Sequence, residues 1–148
     1  MAAETVPNIR HAVIPRIGYG IVGGIAGGIM FGVLMQMMGM ITMVAALVGG
    51  SSVAIGWLVH LVISMGIGGS FGLLFGTVAK GWPRTLVFAL LYGAVWWVLG
   101  ALILMPTILG MTEMVFVINT TAMQSLVGHL IFGLILGIVY QVFSRRNA

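Results

Sequence analysis

Two histidines are the side chains most able to do chemistry in this very apolar chain. His60 lies in "GWLVHLVISMG" (56–66) and His129 lies in "LVGHLIFGLILG" (126–137), where a membrane-spanning helix would run deep in lipid. Ionisable residues in such segments usually face other helices or a functional path and not lipid. Three interpretations follow: a structural histidine hydrogen-bonded across a helix contact, axial ligation of haem b or another tetrapyrrole, or a metal, proton or solute path.

Both histidines lie on rows of small residues spaced four apart. Residues at this spacing share one face of a helix, and small residues allow two helix backbones to approach closely. Each imidazole is therefore predicted to point into a helix contact, and the two are predicted to lie at nearly the same depth. The predicted packing residues are Gly20, Gly24, Gly28, Gly32, Gly68, Gly72, Gly133 and Gly137.

The third apolar segment carries bulky aromatic residues at the same spacing of four. Phe88, Tyr92 and Trp96 share one face, where they could fill the groove left by glycine-rich neighbours or flank a flat cofactor. The candidate cofactor-binding residues are therefore His60, His129 and Trp96, and the two histidines are the candidate axial metal ligands if haem is bound.

The composition indicates the elements that must position these residues. The chain of 148 residues is 61% hydrophobic and 5% charged, whereas soluble domains carry about 25% charged residues. We expect an all-α integral membrane protein, a four-transmembrane-helix bundle that forms a single domain over residues 1–148. Each predicted span has about 20 or more residues, enough to cross about 30 Å of hydrocarbon. The spans are about 17–38, 53–78, 85–105 and 121–143, after a lead at 1–16.

The basic residues predict the orientation of the bundle. They precede the first span, separate the second from the third, and follow the fourth, so four spans bring them to one side. The positive-inside rule then predicts that both termini and the lead are cytoplasmic, in the inner (plasma) membrane. We interpret the net charge of +4 as a topology signal and not as a nucleic-acid surface. The residues are Arg10, Arg16, Lys80, Arg84, Arg145 and Arg146.

An internal repeat is indicated by the two histidine segments. Residues 58–75 match residues 126–143 when His60 is aligned with His129, and Gly39-Met40 finds a counterpart in Gly110-Met111. The sequence therefore predicts two parallel helical-hairpin repeats, related by a pseudo-twofold axis along the membrane normal.

Methionine is unusually frequent, with twelve residues in the chain and no cysteine. Thioethers are soft ligands that suit Cu(I), so a copper-accepting ladder with Glu113 is one interpretation. The other is ordinary flexible filling of apolar contacts. The clustered methionines are Met30, Met35, Met37, Met38, Met40 and Met43, followed by Met105, Met111, Met114 and Met123.

The function predicted from these features is that of a non-catalytic accessory subunit of a larger membrane complex, bioenergetic in role and linked to electron transport. No paired carboxylates, Ser/His/Asp set or P-loop are found in the sequence, and the connections 39–52 and 106–121 carry one charge between them, Glu113. We therefore expect contact with the lipid bilayer and with other membrane subunits or a second copy, and not with nucleic acid. The alternatives are a small homo-oligomeric transporter or channel for copper, protons or a solute, and a structural scaffold or assembly factor.

Overall fold

The computed structural model describes the backbone of residues 9–146 and the side chains of residues 13–146, and this part of the chain is helical without strands. The first eight residues of the predicted lead lie outside the described residues, and its remainder belongs to the first helix. The helices are α1 (Ile9–Met37), α2 (Ile41–Ala46), α3 (Val53–Phe75), α4 (Trp82–Trp96), α5 (Met105–Ile108) and α6 (Thr120–Arg146). A π-helical segment (Trp97–Leu104) joins α4 to α5, and a 3-10 turn (Thr112–Met114) follows α5.

Four helical stretches are long and apolar enough to cross a membrane, which confirms the predicted number of spans. They are Val13–Met37, Val53–Phe75, Trp82–Ile108 and Thr120–Arg146. We refer to them as the first to fourth spans. The third span runs past its predicted end near residue 105.

The third span stays continuous because α4 passes into the π-helical segment. In a π-helix each carbonyl accepts from the residue five positions later, as the Met105 N–H does with the Gly100 carbonyl. Pro106 then falls in the first turn of α5, where a residue without an N–H is tolerated. The proline therefore does not end the span.

The bundle has two chemically different ends. Lys80, Arg84 and Arg145 lie at the end that we call the basic end. The opposite end holds α2 and the 3-10 turn, and we call it the methionine end. Among the described side chains, Glu113 is the one charged group at the methionine end.

The helices are arranged in the order α3, α1, α6, α4, with α1 packed on both α3 and α6. The four helices do not form a closed ring, because α3 and α4 contact each other little. Their contact includes Ser70 Oγ, 2.7 Å from the Tyr92 hydroxyl, and the rings of Phe75 and Phe88, 5.4 Å apart. The bundle is thus open between α3 and the third span toward the methionine end.

Two rows of glycine on α1 bring its backbone against both neighbours. On the first row, a Cβ atom built on Gly68 of α3 would overlap the Gly20 carbonyl oxygen and lie 2.7 Å from the Gly24 Cα. On the second row, a Cβ atom on Gly27 would lie 2.7 Å from the Phe132 carbonyl oxygen of α6. The backbones of α1, α3 and α6 therefore touch without intervening side chains.

The α4–α6 contact uses the same kind of packing. A Cβ atom on Gly133 would overlap the Ala89 carbonyl oxygen. Nearer the basic end, the buried Thr85 hydroxyl donates to Gln141 Oε1 at 2.7 Å, which satisfies two polar groups that would be costly to bury alone.

We expect Gly68→Ala to lower the free energy of unfolding by about 1–3 kcal/mol, since the added methyl group overpacks a rigid backbone contact. Thermal unfolding of the detergent-purified protein measures the effect. Gly66→Ala is the matched control on the same helix, because a Cβ atom there meets nothing within 4 Å. Equal stability of the two variants would contradict the packing described.

Candidate functional site

A cavity of about 410 Å³ occupies the open side of the bundle toward the methionine end. Its walls come from α1, α3, the third span and α6, and α2 and the 3-10 turn contribute side chains near the mouth. His60, Trp96 and His129 all line it. The three predicted cofactor-binding residues thus share one cavity.

His60 is held by the carbonyl of a glycine on the neighbouring helix. Its Nε2–H donates to the Gly28 carbonyl oxygen at 2.9 Å, and the side chain is 6% exposed. Space for the ring depends on another glycine, because a Cβ atom on Gly32 would lie 3.1 Å from His60 Cδ2. Since a carbonyl can only accept, the neutral imidazole keeps its lone pair on Nδ1.

His129 is oriented within its own helix. Its Nδ1–H donates to the Ser125 carbonyl oxygen, one turn earlier in α6, at 2.8 Å. The Nε2 atom therefore carries the lone pair of the neutral ring. The hydrogen bonds leave opposite nitrogens of the two histidines available. His60 has the bond across a helix contact of the first interpretation, whereas the bond of His129 stays within α6.

Phe31 lies against both histidines. Its ring centroid is 5.6 Å from that of His60 and 4.6 Å from that of His129. A Cβ atom on Gly128 would overlap the Phe31 ring, so this glycine makes room for it. Sequence reasoning did not select Phe31, since nothing in its spacing separates it from other apolar residues of the first span.

The two adjacent tryptophans differ in their hydrogen bonding. Trp97 Nε1–H donates to the Ala122 carbonyl oxygen at 2.9 Å. Trp96 Nε1 is the one buried side-chain nitrogen or oxygen atom among the described residues that has no hydrogen-bond partner. An unsatisfied buried donor costs about 1–3 kcal/mol, and this one belongs to a residue that lines the cavity.

Methionines near the mouth add a second donor type to the same cavity. Six of them line it, whereas Met30 and Met37, which the sequence grouped with them, are 46% and 80% exposed. Among the described residues, no group of three or more His, Asp or Glu side chains could hold a metal ion. The methionines on the wall are Met35, Met40, Met43, Met105, Met111 and Met114.

Trp96→Phe and Trp97→Phe test whether the two indoles differ in hydrogen bonding. Both substitutions remove the same volume, but only the second removes a hydrogen bond, the one that Trp97 Nε1–H donates to the Ala122 carbonyl oxygen. We expect Trp97→Phe to be the less stable variant by about 1 kcal/mol, measured by thermal unfolding. An equal loss of stability in the two variants, or a larger loss for Trp96→Phe, would show that the Trp96 N–H has a hydrogen-bond partner.

The chain was compared with known families, curated proteins and solved structures. No curated protein and no solved structure matches it. The family of unknown function DUF6789 matches residues 14–148, which include all four spans and every residue of the cavity. The protein belongs to the DUF6789 family.

Proposed function

We propose that this protein is a non-catalytic membrane subunit that holds a flat, largely apolar molecule of cofactor size in the cavity beside Trp96. The cavity carries this proposal, because its size of about 410 Å³ falls within the range of about 300–1,000 Å³ common for small-molecule sites. Such sites are mostly apolar with a few placed polar groups. Here the lining residues that carry such groups include Trp96, His60 and His129.

A membrane-soluble ligand suits the position of the cavity. The cavity lies between α3 and the third span, the two neighbours that contact each other little, and Ile63 and Ile67 form part of its wall. In a membrane this side of the bundle borders acyl chains. A ligand dissolved in the bilayer could therefore reach the cavity without crossing water.

The orientation proposed is cytoplasmic for both termini, in the inner (plasma) membrane. It is supported by Lys80, Arg84 and Arg145 at one end of the bundle and by the lone Glu113 at the other. Cytoplasmic segments carry the excess of Lys and Arg. The cavity then lies in the outer half of the bilayer.

The two-hairpin repeat is supported by the ends of the first and third spans. Gly39 and Gly110 both have φ +71°, a left-handed conformation that ends helices. The next N–H donates five residues back in each case, from Met40 to the Met35 carbonyl and from Met111 to the Pro106 carbonyl, both at 2.8 Å. The same closing motif therefore ends the first span of each proposed hairpin.

Association with other membrane subunits, or with a second copy, is supported by the apolar surface at the methionine end. Phe116 and Ile118 are 59% and 63% exposed, and Val48 of the first connection is 62% exposed. Exposed contiguous apolar surface commonly marks interaction sites. This is the basis for retaining an accessory role in a larger complex.

The ligand proposal predicts binding of naphthoquinone, a flat apolar probe with two carbonyl acceptors. In nanodiscs we expect saturable quenching of tryptophan fluorescence by the wild-type protein and at least about tenfold weaker binding by Gly100→Leu. Gly100 lines the cavity, and the atom nearest to its built Cβ is Trp96 Cε3 at 4.0 Å, so the leucine fills the cavity without a backbone clash.

Leu99→Phe is the control for this experiment, because Leu99 faces outward on the neighbouring position and is 42% exposed. Unchanged binding by Gly100→Leu, with both variants folded, would reject the cavity as the binding site.

For a tetrapyrrole, we propose one axial histidine, whereas the sequence suggested two. A haem held by both histidines needs its ring between the two imidazoles, where Phe31 contacts each of them. A single axial ligand needs less rearrangement, and either His60 Nδ1 or His129 Nε2 could supply it.

Protein purified from cells grown with ample haem should therefore show a Soret band, and one of His60→Ala and His129→Ala should remove it while the other reduces it less. A colourless wild-type protein would reject haem as the ligand. Naphthoquinone binding by that same sample would leave the cavity proposal in place.

A further inference from the structure

The connections at the methionine end contain the same short motif twice. The segments are "GMITM" (39–43) and "GMTEM" (110–114), each a glycine followed by two methionines three residues apart. In both, the second methionine N–H donates to the carbonyl of the first, Met43 to Met40 at 3.0 Å and Met114 to Met111 at 2.9 Å. We call these segments the two methionine turns.

The spacing places both thioethers of each turn on one side. Residues three apart are neighbours on a helical surface, and the bonds above close one helical turn. All four of these methionines line the cavity, and Met35 and Met105 line it beside them. The two turns therefore bring thioether sulfurs from distant parts of the sequence to one mouth.

Ordinary filling of apolar contacts does not account for this placement. Met30, Met65 and Met123 lie on the outer faces of the spans, 46%, 39% and 47% exposed, and none of them lines the cavity. Leucine would fill the same wall with better-defined packing. The grouping of methionine thioethers at the mouth is instead typical of a set of metal ligands.

The chemistry of that donor set selects one kind of cation. Thioethers are soft ligands that favour Cu(I), and imidazole also suits copper, whereas Mg²⁺ and Ca²⁺ prefer the oxygens of carboxylates, carbonyls and water. No cysteine is present, and no carboxylate lines the cavity. A monovalent soft ion therefore fits this mouth better than a hard divalent one.

The charge distribution favours a cation at this end. Glu113 lies between Met111 and Met114 and is exposed, and it is the one carboxylate among the described residues. The lysine and the arginines whose side chains are described lie toward the basic end. A local negative field raises the concentration of cations near the mouth.

We propose that the two methionine turns bind Cu(I) at the mouth of the cavity, with the free nitrogens of His60 and His129 as further ligands deeper inside. Binding is ligand exchange without a redox step: thioether sulfurs replace the ligands of a Cu(I) ion that arrives already reduced. The site shares the cavity and the two histidines of the proposed function, but the methionine turns belong to the copper site alone.

The test uses the full-length protein in nanodiscs with Cu(I) kept reduced by ascorbate, in competition with the coloured Cu(I) chelator bathocuproine disulfonate. We expect the wild-type protein to withdraw Cu(I) from the chelator. We expect Met40→Leu/Met43→Leu and Met111→Leu/Met114→Leu each to weaken binding by about tenfold or more, since each pair removes two sulfurs. Methionine to leucine conserves volume and keeps the packing.

Met30→Leu/Met65→Leu is the matched control, because it also removes two sulfurs, but from outer faces. Unchanged binding by this control supports the site. Equal weakening in the control and the turn variants would overturn it, as would failure of folded wild-type protein to take Cu(I) from the chelator. Stronger binding of Zn²⁺ than of Cu(I) would also overturn it, because soft ligands would then not select the ion.

The copper and apolar-ligand proposals can fail separately. Naphthoquinone binding should persist in both turn variants, since their substitutions lie near the mouth and Gly100 lies beside Trp96. Loss of Cu(I) binding with naphthoquinone binding intact assigns the metal to the turns. Cu(I) binding without naphthoquinone binding rejects the proposed function and leaves the metal site.

Discussion

The direct contact between the backbone of α1 and its two neighbours is the constraint on which the rest of the structure depends. Gly20 and Gly24 meet Gly68 of α3, and Gly27 meets the Phe132 carbonyl of α6. Contacts of this kind gain van der Waals packing that lipid does not provide. Because both rows lie on α1, this helix occupies the centre of the arrangement and holds α3 and α6 apart from one another.

The cavity is a consequence of that arrangement. With α1 packed on both α3 and α6, the third span packs on α6 and has little contact with α3. If the two hairpins were related by an exact twofold axis, the α3–third span contact would be as close as the α1–α6 contact. The third span instead carries bulky rings and the π-helical segment, and space remains where the hairpins would otherwise meet.

The sequence predicted the features that follow from composition and from helix periodicity. The four spans were recognised because lipid demands long apolar helices, and His60 was placed on a helix contact because it shares a row with Ser64 and Gly68. The difference between Trp96 and Trp97 could not be predicted, because it depends on which carbonyl of α6 comes opposite each indole. The π-helical segment was also missed, since its hydrogen-bond register leaves no distinct residue pattern. The methionine turns could have been found from the sequence alone, because the motif Gly-Met-x-x-Met occurs in it twice.

The π-helical segment also determines how the mouth of the cavity is aligned with its interior. A π segment contains more residues than an α-helix of equal length, and each residue of an α-helix corresponds to a rotation of about 100°. Deleting a single residue between Trp97 and Leu104 would therefore remove the surplus residue and return the segment to an α-helix, with Met105 in nearly its present direction relative to Trp96. A second deletion would turn Met105 by about 100°, away from the mouth, while α4 kept its place against α6. Relatives that preserve the cavity should therefore tolerate the loss of one residue in this segment but not the loss of two.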